Sequence, residues 1–178
     1  MGIDVSFSGL LRLSNNTEVE DIALMVRSGF SIIKFGLESG SPFVRQKMKK
    51  NSDQDHCYNL IKAVAENGAL AQVNIMHSFP VEEEQHFIET MDFLSLFKPE
   101  EIQWNAWSFN LGFTGNGAID FDFIDRFGIT LERSNGMVSG RPSFVLDLKW
   151  RNAIINDGVR ADRQNRIQSF RRQWLGDE

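Results

Sequence analysis

Short apolar segments recur in this chain about every 27 to 39 residues, with stretches of helical period between them, and this rhythm limits the fold more than any other feature. Val5, Phe7 and the residues to Leu13 make the first segment, Ile32-Ile33-Lys34-Phe35 the second, Leu70 to Met76 the third and Ile102 to Trp107 the fourth. After the turn residues Ser14-Asn15-Asn16-Thr17, Val19, Ile22, Ala23 and Val26 fall at i, i+3, i+4 and i+7. They predict a helix that opens at Glu18 and Glu20 and stops at Ser28-Gly29. A second helix is expected from Ser52-Asp53 to Glu66, with Tyr58, Ile61 and Ala65 on one face. A third runs from Val81 to Phe97 through Phe87, Met91 and Leu94. Strands alternating with amphipathic helices at this spacing are parallel βαβ units, so the class is α/β with a parallel sheet. Right-handed crossovers place all βα loops at one end of such a sheet. Ser14 and the loops Gly36–Pro42, His77–Glu82 and Ser108–Gly117 should therefore share one face, where binding residues collect.

Past Gly112 the rhythm stops. Gly112, Gly115, Asn116 and Gly117 read as a loop, Phe121, Phe123, Ile124 and Phe127 as a short helix, and Ile129 to Glu132 as a short strand before a Ser134-Asn135-Gly136 turn. Pro142 opens a last segment with Phe144, Val145, Leu146 and Trp150. The chain carries 19 Lys+Arg against 24 Asp+Glu, a net charge of −5, yet residues 141–178 are basic, with Arg160, Arg163, Arg166, Arg171 and Arg172. That spacing suits the solvated face of a terminal helix packed through Ile167, Phe170 and Trp174. Contact with an acidic partner or nucleic acid is the alternative, and nucleic acid is the less expected.

No apolar run approaches the roughly 18 residues of a membrane span. The first residues lack the basic start and apolar stretch of a secretory signal, so the expected compartment is the cytoplasm. Cys57 stands alone. One thiol makes no intrachain disulfide and cannot ligate an iron–sulfur cluster.

Two loops carry candidate chemistry. Phe35-Gly36-Leu37-Glu38-Ser39-Gly40-Ser41 gathers a carboxylate, two hydroxyls and two glycines at a strand end, groups that can approach and hold a ligand, or simply turn the chain and cap the next helix. No Walker or Gly-x-Gly-x-x-Gly pattern occurs. Asn74 to Glu84 brings His77 to a strand end, followed by Glu82, Glu83 and Glu84, which read as acids opposing the positive end of a helix. His56, His77 and His86 match no compact metal motif. A cluster-free barrel enzyme using His77 and Glu38 is the least expected reading. Arg12, at the end of the first strand, offers a cation that could hold a carboxylate or phosphate, or make a surface ion pair. Trp104, Asn105 and Trp107 either line a pocket or pack in the core, with alternation separating Trp104 from Asn105.

Taken in order, these segments resemble radical S-adenosylmethionine (radical SAM) enzymes, particularly the subgroup that often carries an N-terminal cobalamin-binding domain. The resemblance runs over residues 3–107. It rests on Arg12, Ser28-Gly29-Phe30, Ile32 to Ser41, Val44 to Lys50, Asn67-Gly68, Asn74 to Glu83 and Thr90 to Leu94. It implies a partial TIM-type (βα) barrel of about four parallel βα units over residues 1–112; it says little about residues 113–178, which read from their own pattern as an α+β extension of unknown role. It further implies S-adenosylmethionine contacts from Glu38, Ser39 and Ser41, and more weakly from Arg12. Where the family's next loop reads Gly-Phe-Pro-Gly-Glu, this chain has Ser78 and Val81 in place of the glycines and keeps Phe79, Pro80 and Glu82. The family's CxxxCxxC motif, which holds a [4Fe–4S] cluster, is absent. The expectation is thus a fragment of a larger enzyme of oxidoreductase or methyltransferase type, inactive alone, completed by the N-terminal half of a barrel or paired with a second copy through exposed sheet edges. Its ligand would be a small molecule, and the use of cobalamin stays open. The alternative is a non-catalytic interaction module whose contact surface is the basic tail.

Overall fold

A computed structural model describes residues 5–50, 52–113, 121–132 and 146–176 of the 178. Its main sheet has four parallel strands in the order of the sequence: β1 (Phe7–Leu11), β2 (Phe30–Glu38), β3 (Leu70–His77) and β4 (Ile102–Ser108). A doubly wound sheet reverses its strand order at a switch point, whereas a barrel wall advances strand by strand. The order here does not reverse, and the fold is the expected partial barrel.

The helices form for local reasons. In α1 (Val19–Arg27), Glu18 and Asp21 make a reciprocal capping box. Helix α3 (Gln54–Glu66) begins where the Asp53 carboxylate accepts from the N–H groups of Asp55 and His56, an arrangement worth about 1 kcal/mol. Its buried stripe is Cys57, Leu60, Ile61 and Val64, turned slightly from the expected Tyr58–Ile61–Ala65 face. Helix α4 (Glu84–Ser95) buries Phe87, Thr90 and Leu94. A short helix, α2 (Pro42–Lys47), was not anticipated, because six residues give no readable period.

Helices α1, α3 and α4 pack on one face of the sheet. Ile33, Phe35 and Leu37 of β2, Ala71, Val73 and Ile75 of β3, and Ile102 and Trp104 of β4 form the core with them, each large side chain contributing about 1.5–3 kcal/mol. The alternate residues, Lys34, Gly36 and Glu38, Gln72 and Asn74, Gln103, Asn105 and Trp107, are half-buried or exposed on the opposite face.

The chain then leaves the barrel wall to build a second, antiparallel sheet, β5 (Leu111–Phe113), β7 (Leu146–Arg151) and β6 (Thr130–Glu132) in that order, with α5 (Phe121–Arg126) between β5 and β6. Gly112 lies within β5 rather than in the expected loop, because pairing with β7 overrides glycine's poor strand preference. The glycines 115 and 117, the Ser134-Asn135-Gly136 turn and Pro142 to Val145 lie outside the described residues. Helix α6 (Asp157–Leu175) returns to the main sheet. Ile167 enters the core, Phe170 and Trp174 pack on Trp104, and α6 lies against β4 and α4, where the crossover helix after β4 belongs.

Candidate functional site

At the carboxyl ends of β1, β2 and β3 lies a cavity of about 490 Å³ lined by Leu10, Leu11, Arg12, Gly36, Glu38, Met48, Lys49, Lys50 and Asn74. Small-molecule sites fall in the range of about 300–1,000 Å³. Local geometry delivers its carboxylate. Between Gly36 and Glu38 the register with β3 shifts, Gly36 pairing with Asn74 and Glu38 with Ile75, which is a bulge that re-aims the strand end. Glu38 itself takes φ 68°, a left-handed conformation that costs a non-glycine residue about 1–2 kcal/mol. Lys50 Nζ donates to Glu38 Oε1 at 2.8 Å and to the Gly36 carbonyl at 3.1 Å, holding the loop in this shape. The other Glu38 oxygen has no partner among the described residues. Arg12 Nη2 donates to the Lys49 carbonyl at 3.4 Å, which ties β1 to the same cavity.

Gly36 keeps the cavity open. A Cβ there would lie 2.9 Å from Glu38 Oε1 and 3.3 Å from Lys50 Nζ. Arg12, Lys49 and Lys50 face one carboxylate, so the lining is cationic in a chain of net charge −5.

Ser39 and Ser41 are placed differently. Both are fully buried and lie outside the cavity lining. Ser39 Oγ lies 3.0 Å from Thr90 Oγ1 and accepts from the Ser41 N–H at 3.1 Å, while Gly40 N–H donates to Thr90 Oγ1. Ser41 Oγ has no hydrogen-bond partner among the described residues. Buried Arg45, a residue that sequence reasoning missed, donates to the carbonyls of Ser39 and Gly40 and to Gln54 Oε1. The loop is thus clamped from inside by α2 and α4, and its open side presents Glu38 alone.

The next loop is closed. Ser78 takes φ 62° in the position of the family's first glycine, whereas Val81 needs no such conformation. Glu82 is not one of the helix-end acids expected from the sequence. Only Glu84 lies in the first turn of α4 and Glu83 caps it. The Glu82 carboxylate is buried, accepts from Ser78 N–H, and pairs with Arg163 of α6 at 2.8 Å. Burial pushes this carboxyl up to about 7, against the pull of Arg163 and the Ser78 N–H. His77 Nδ1 and Nε2 meet Ser78 Oγ and Gln164 Oε1, and burial lowers its pKa. Phe79 packs edge-on against Phe109, Phe123 and Phe127, and Asn152 donates to the Pro80 carbonyl. The C-terminal part therefore seals this loop. His56 contacts the Ser14 carbonyl and His86 accepts from Glu83 N–H, both local roles.

An iron–sulfur cluster finds no ligand set here. Cys57 is buried in the core, where burial pushes its thiol up, and no group of three His, Cys, Asp or Glu converges among the described residues. The arginines of α6 are largely committed within the chain: Arg160 to the Trp150 carbonyl, Arg163 to Glu82, Arg166 to Glu84, and Arg171 to the Trp104 carbonyl and ring. No described helix is long and apolar enough to cross a membrane.

No family model matches the chain, and no curated protein matches it in sequence. Solved structures do. Coproporphyrinogen III oxidase (HemN) from Escherichia coli, a radical SAM enzyme, superposes with a TM-score of 0.63 at 13% identity, over 96% of this chain and 32% of that one. TsrM from Kitasatospora setae, a radical S-adenosylmethionine methyltransferase solved with cobalamin and a [4Fe-4S] cluster, superposes at 0.54 with 12% identity, over 72% of this chain and 26% of that one. The likeness is one of fold, and the chain spans about a third of HemN and a quarter of TsrM.

Proposed function

We propose that this chain forms the S-adenosylmethionine-binding wall of a radical SAM barrel, with Arg12 and Glu38 as charged contacts and Ser39 and Ser41 shaping the loop behind them. The observation that carries the reading is the convergence of Arg12, Gly36 and Glu38 on one cavity at the strand ends. S-adenosylmethionine presents an ammonium, a carboxylate, a sulfonium and ribose hydroxyls. The unpaired Glu38 oxygen accepts from the ammonium or a ribose hydroxyl, and the Arg12 guanidinium pairs with the carboxylate. Gly36 lets the ligand reach the backbone. In that family a [4Fe–4S] cluster supplies the one electron that reductively cleaves S-adenosylmethionine, and this reading assigns the cluster's ligands to polypeptide outside these residues. The outer edge of β1 would pair with the complementing half of the barrel or with a second copy. A docking module built on the basic tail is less well supported, since the guanidinium groups of Arg160, Arg163, Arg166 and Arg171 are engaged inside the chain.

The test is a titration of the ¹⁵N-labelled chain with S-adenosylmethionine, followed by NMR. Saturable shifts at Gly36, Glu38, Lys50 and Asn74, weakened about ten-fold in Glu38→Gln, are expected, a loss of about 1.4 kcal/mol. Shifts confined to other residues, or an unweakened variant, would overturn the assignment.

A further inference from the structure

We infer that the open face of the main sheet holds a second site, centred on Lys34, that binds the oxyanion of a small molecule lying one pleat inside the Arg12–Glu38 cavity. Calling that molecule the substrate rests on the S-adenosylmethionine reading; the oxyanion site itself does not.

Register places Leu10, Lys34, Gln72 and Gln103 in one row across the four strands, and Gly36, Asn74 and Asn105 in the next row toward the loops. Lys34 sits mid-strand on β2, an interior strand, and is half-buried. It has no hydrogen-bond, ion-pair or ring partner among the described residues, whereas the other half-buried lysines, Lys50 and Lys62, are paired with Glu38 and Glu101. The side chains of Gln72, Asn74, Gln103 and Asn105 likewise make no hydrogen bond among the described residues. Lysine and asparagine are disfavoured in strands, so packing does not account for these rows. A merely solvated face would tolerate any polar residue and would have no reason to cluster an ammonium with four carboxamides.

Together the rows offer one cation and four N–H₂ groups, the complement of a carboxylate or phosphate. The carboxamide carbonyls can accept from hydroxyl or N–H groups on the same molecule. Leu10, 73% exposed and in register with Lys34, supplies an apolar contact for its body. Gly36 and Asn74, in the row next to Lys34, also line the Arg12–Glu38 cavity, so the two sites adjoin.

The experiment titrates the labelled chain with sodium malonate and, separately, with inorganic phosphate at constant ionic strength, reading the side-chain N–H₂ resonances of the four carboxamides. Saturable shifts are expected, at least ten-fold weaker in K34Q and retained in K34R, which also reports that the fold is intact. Tighter malonate identifies a carboxylate and tighter phosphate a phosphoryl group. Shifts that do not saturate, or that persist unchanged in K34Q, overturn the site. K34Q should leave S-adenosylmethionine-induced shifts at Gly36 in place and Glu38→Gln should leave malonate binding in place. Loss of the cofactor response with malonate binding intact would therefore count against the function reading alone.

Discussion

Two neighbouring loops of one sheet treat a carboxylate in opposite ways. Glu38, at the end of β2, and Glu82, after β3, each have a basic partner at 2.8 Å and a left-handed residue at the strand end or in the loop. Yet the Glu38 side chain is 16% exposed on a cavity and Glu82 is 1% exposed. What differs is the cover. The antiparallel extension and α6 close over His77–Glu82 through Phe79, Asn152 and Arg163, while the side of the β2 loop that carries Glu38 faces a cavity. A carboxylate at a strand-end loop stays open to a cavity where nothing covers it, and becomes a structural staple where another helix arrives first.

The staple should break with the largest effect. Arg163→Met leaves Glu82 buried without its cation and should cost about 3–5 kcal/mol in urea unfolding, whereas Arg163→Met with Glu82→Gln should recover part of it. A loss below about 1 kcal/mol would show that Glu82 does not fasten α6. Next come two glycines four residues apart. A Cβ at Gly40 would meet backbone and Cβ atoms of α4 at 2.6–2.9 Å, so Gly40→Ala should destabilise by about 1–3 kcal/mol. At Gly36 the clash is with two movable side-chain ends, so Gly36→Ala should unfold near the wild-type midpoint while its cavity loses ligand.

Titration separates the loops further. Because the folded Glu82 carboxyl is raised from 4.5 to about 7, its favourable contribution is full below pH 4.5 and disappears as pH rises through about 7. The difference in stability between wild type and Glu82→Gln should therefore slope across that window. His77 has the opposite sign: its lowered pKa contributes stability above 6.5 that is lost as pH falls below it, and His77→Gln should remove that acid-side loss. The smallest effect is expected for Lys50→Gln. Its partly exposed pair should cost at most about 1 kcal/mol, visible as a minor shift in midpoint.

Much of the fold was legible because it repeats locally. The Ile22–Val26 stripe, the Asp53 cap and the alternation that buries Trp104 and exposes Asn105 are each contained in a few residues, although Val19, read on the same stripe, is exposed. What stayed hidden depends on distant partners. Glu82 looks like its neighbours Glu83 and Glu84 until Arg163, 81 residues later, draws it inside. Arg45 carries no sign in its own segment that it will bind the Ser39 and Gly40 carbonyls. Strand β5 exists only by pairing with β7 across the extension. Within the candidate site, position on a strand end pointed to Arg12 and Glu38, but residue type alone could not tell the outward Glu38 from the inward Ser39 and Ser41 beside it.

The central claim is that the open loop binds and the closed loop fastens, and calorimetry of S-adenosylmethionine with wild type, Glu38→Gln and Glu82→Gln tests it most directly. Affinity should be about ten-fold weaker for Glu38→Gln and unchanged for Glu82→Gln. Equal weakening of both variants, or wild-type affinity in Glu38→Gln, would contradict it.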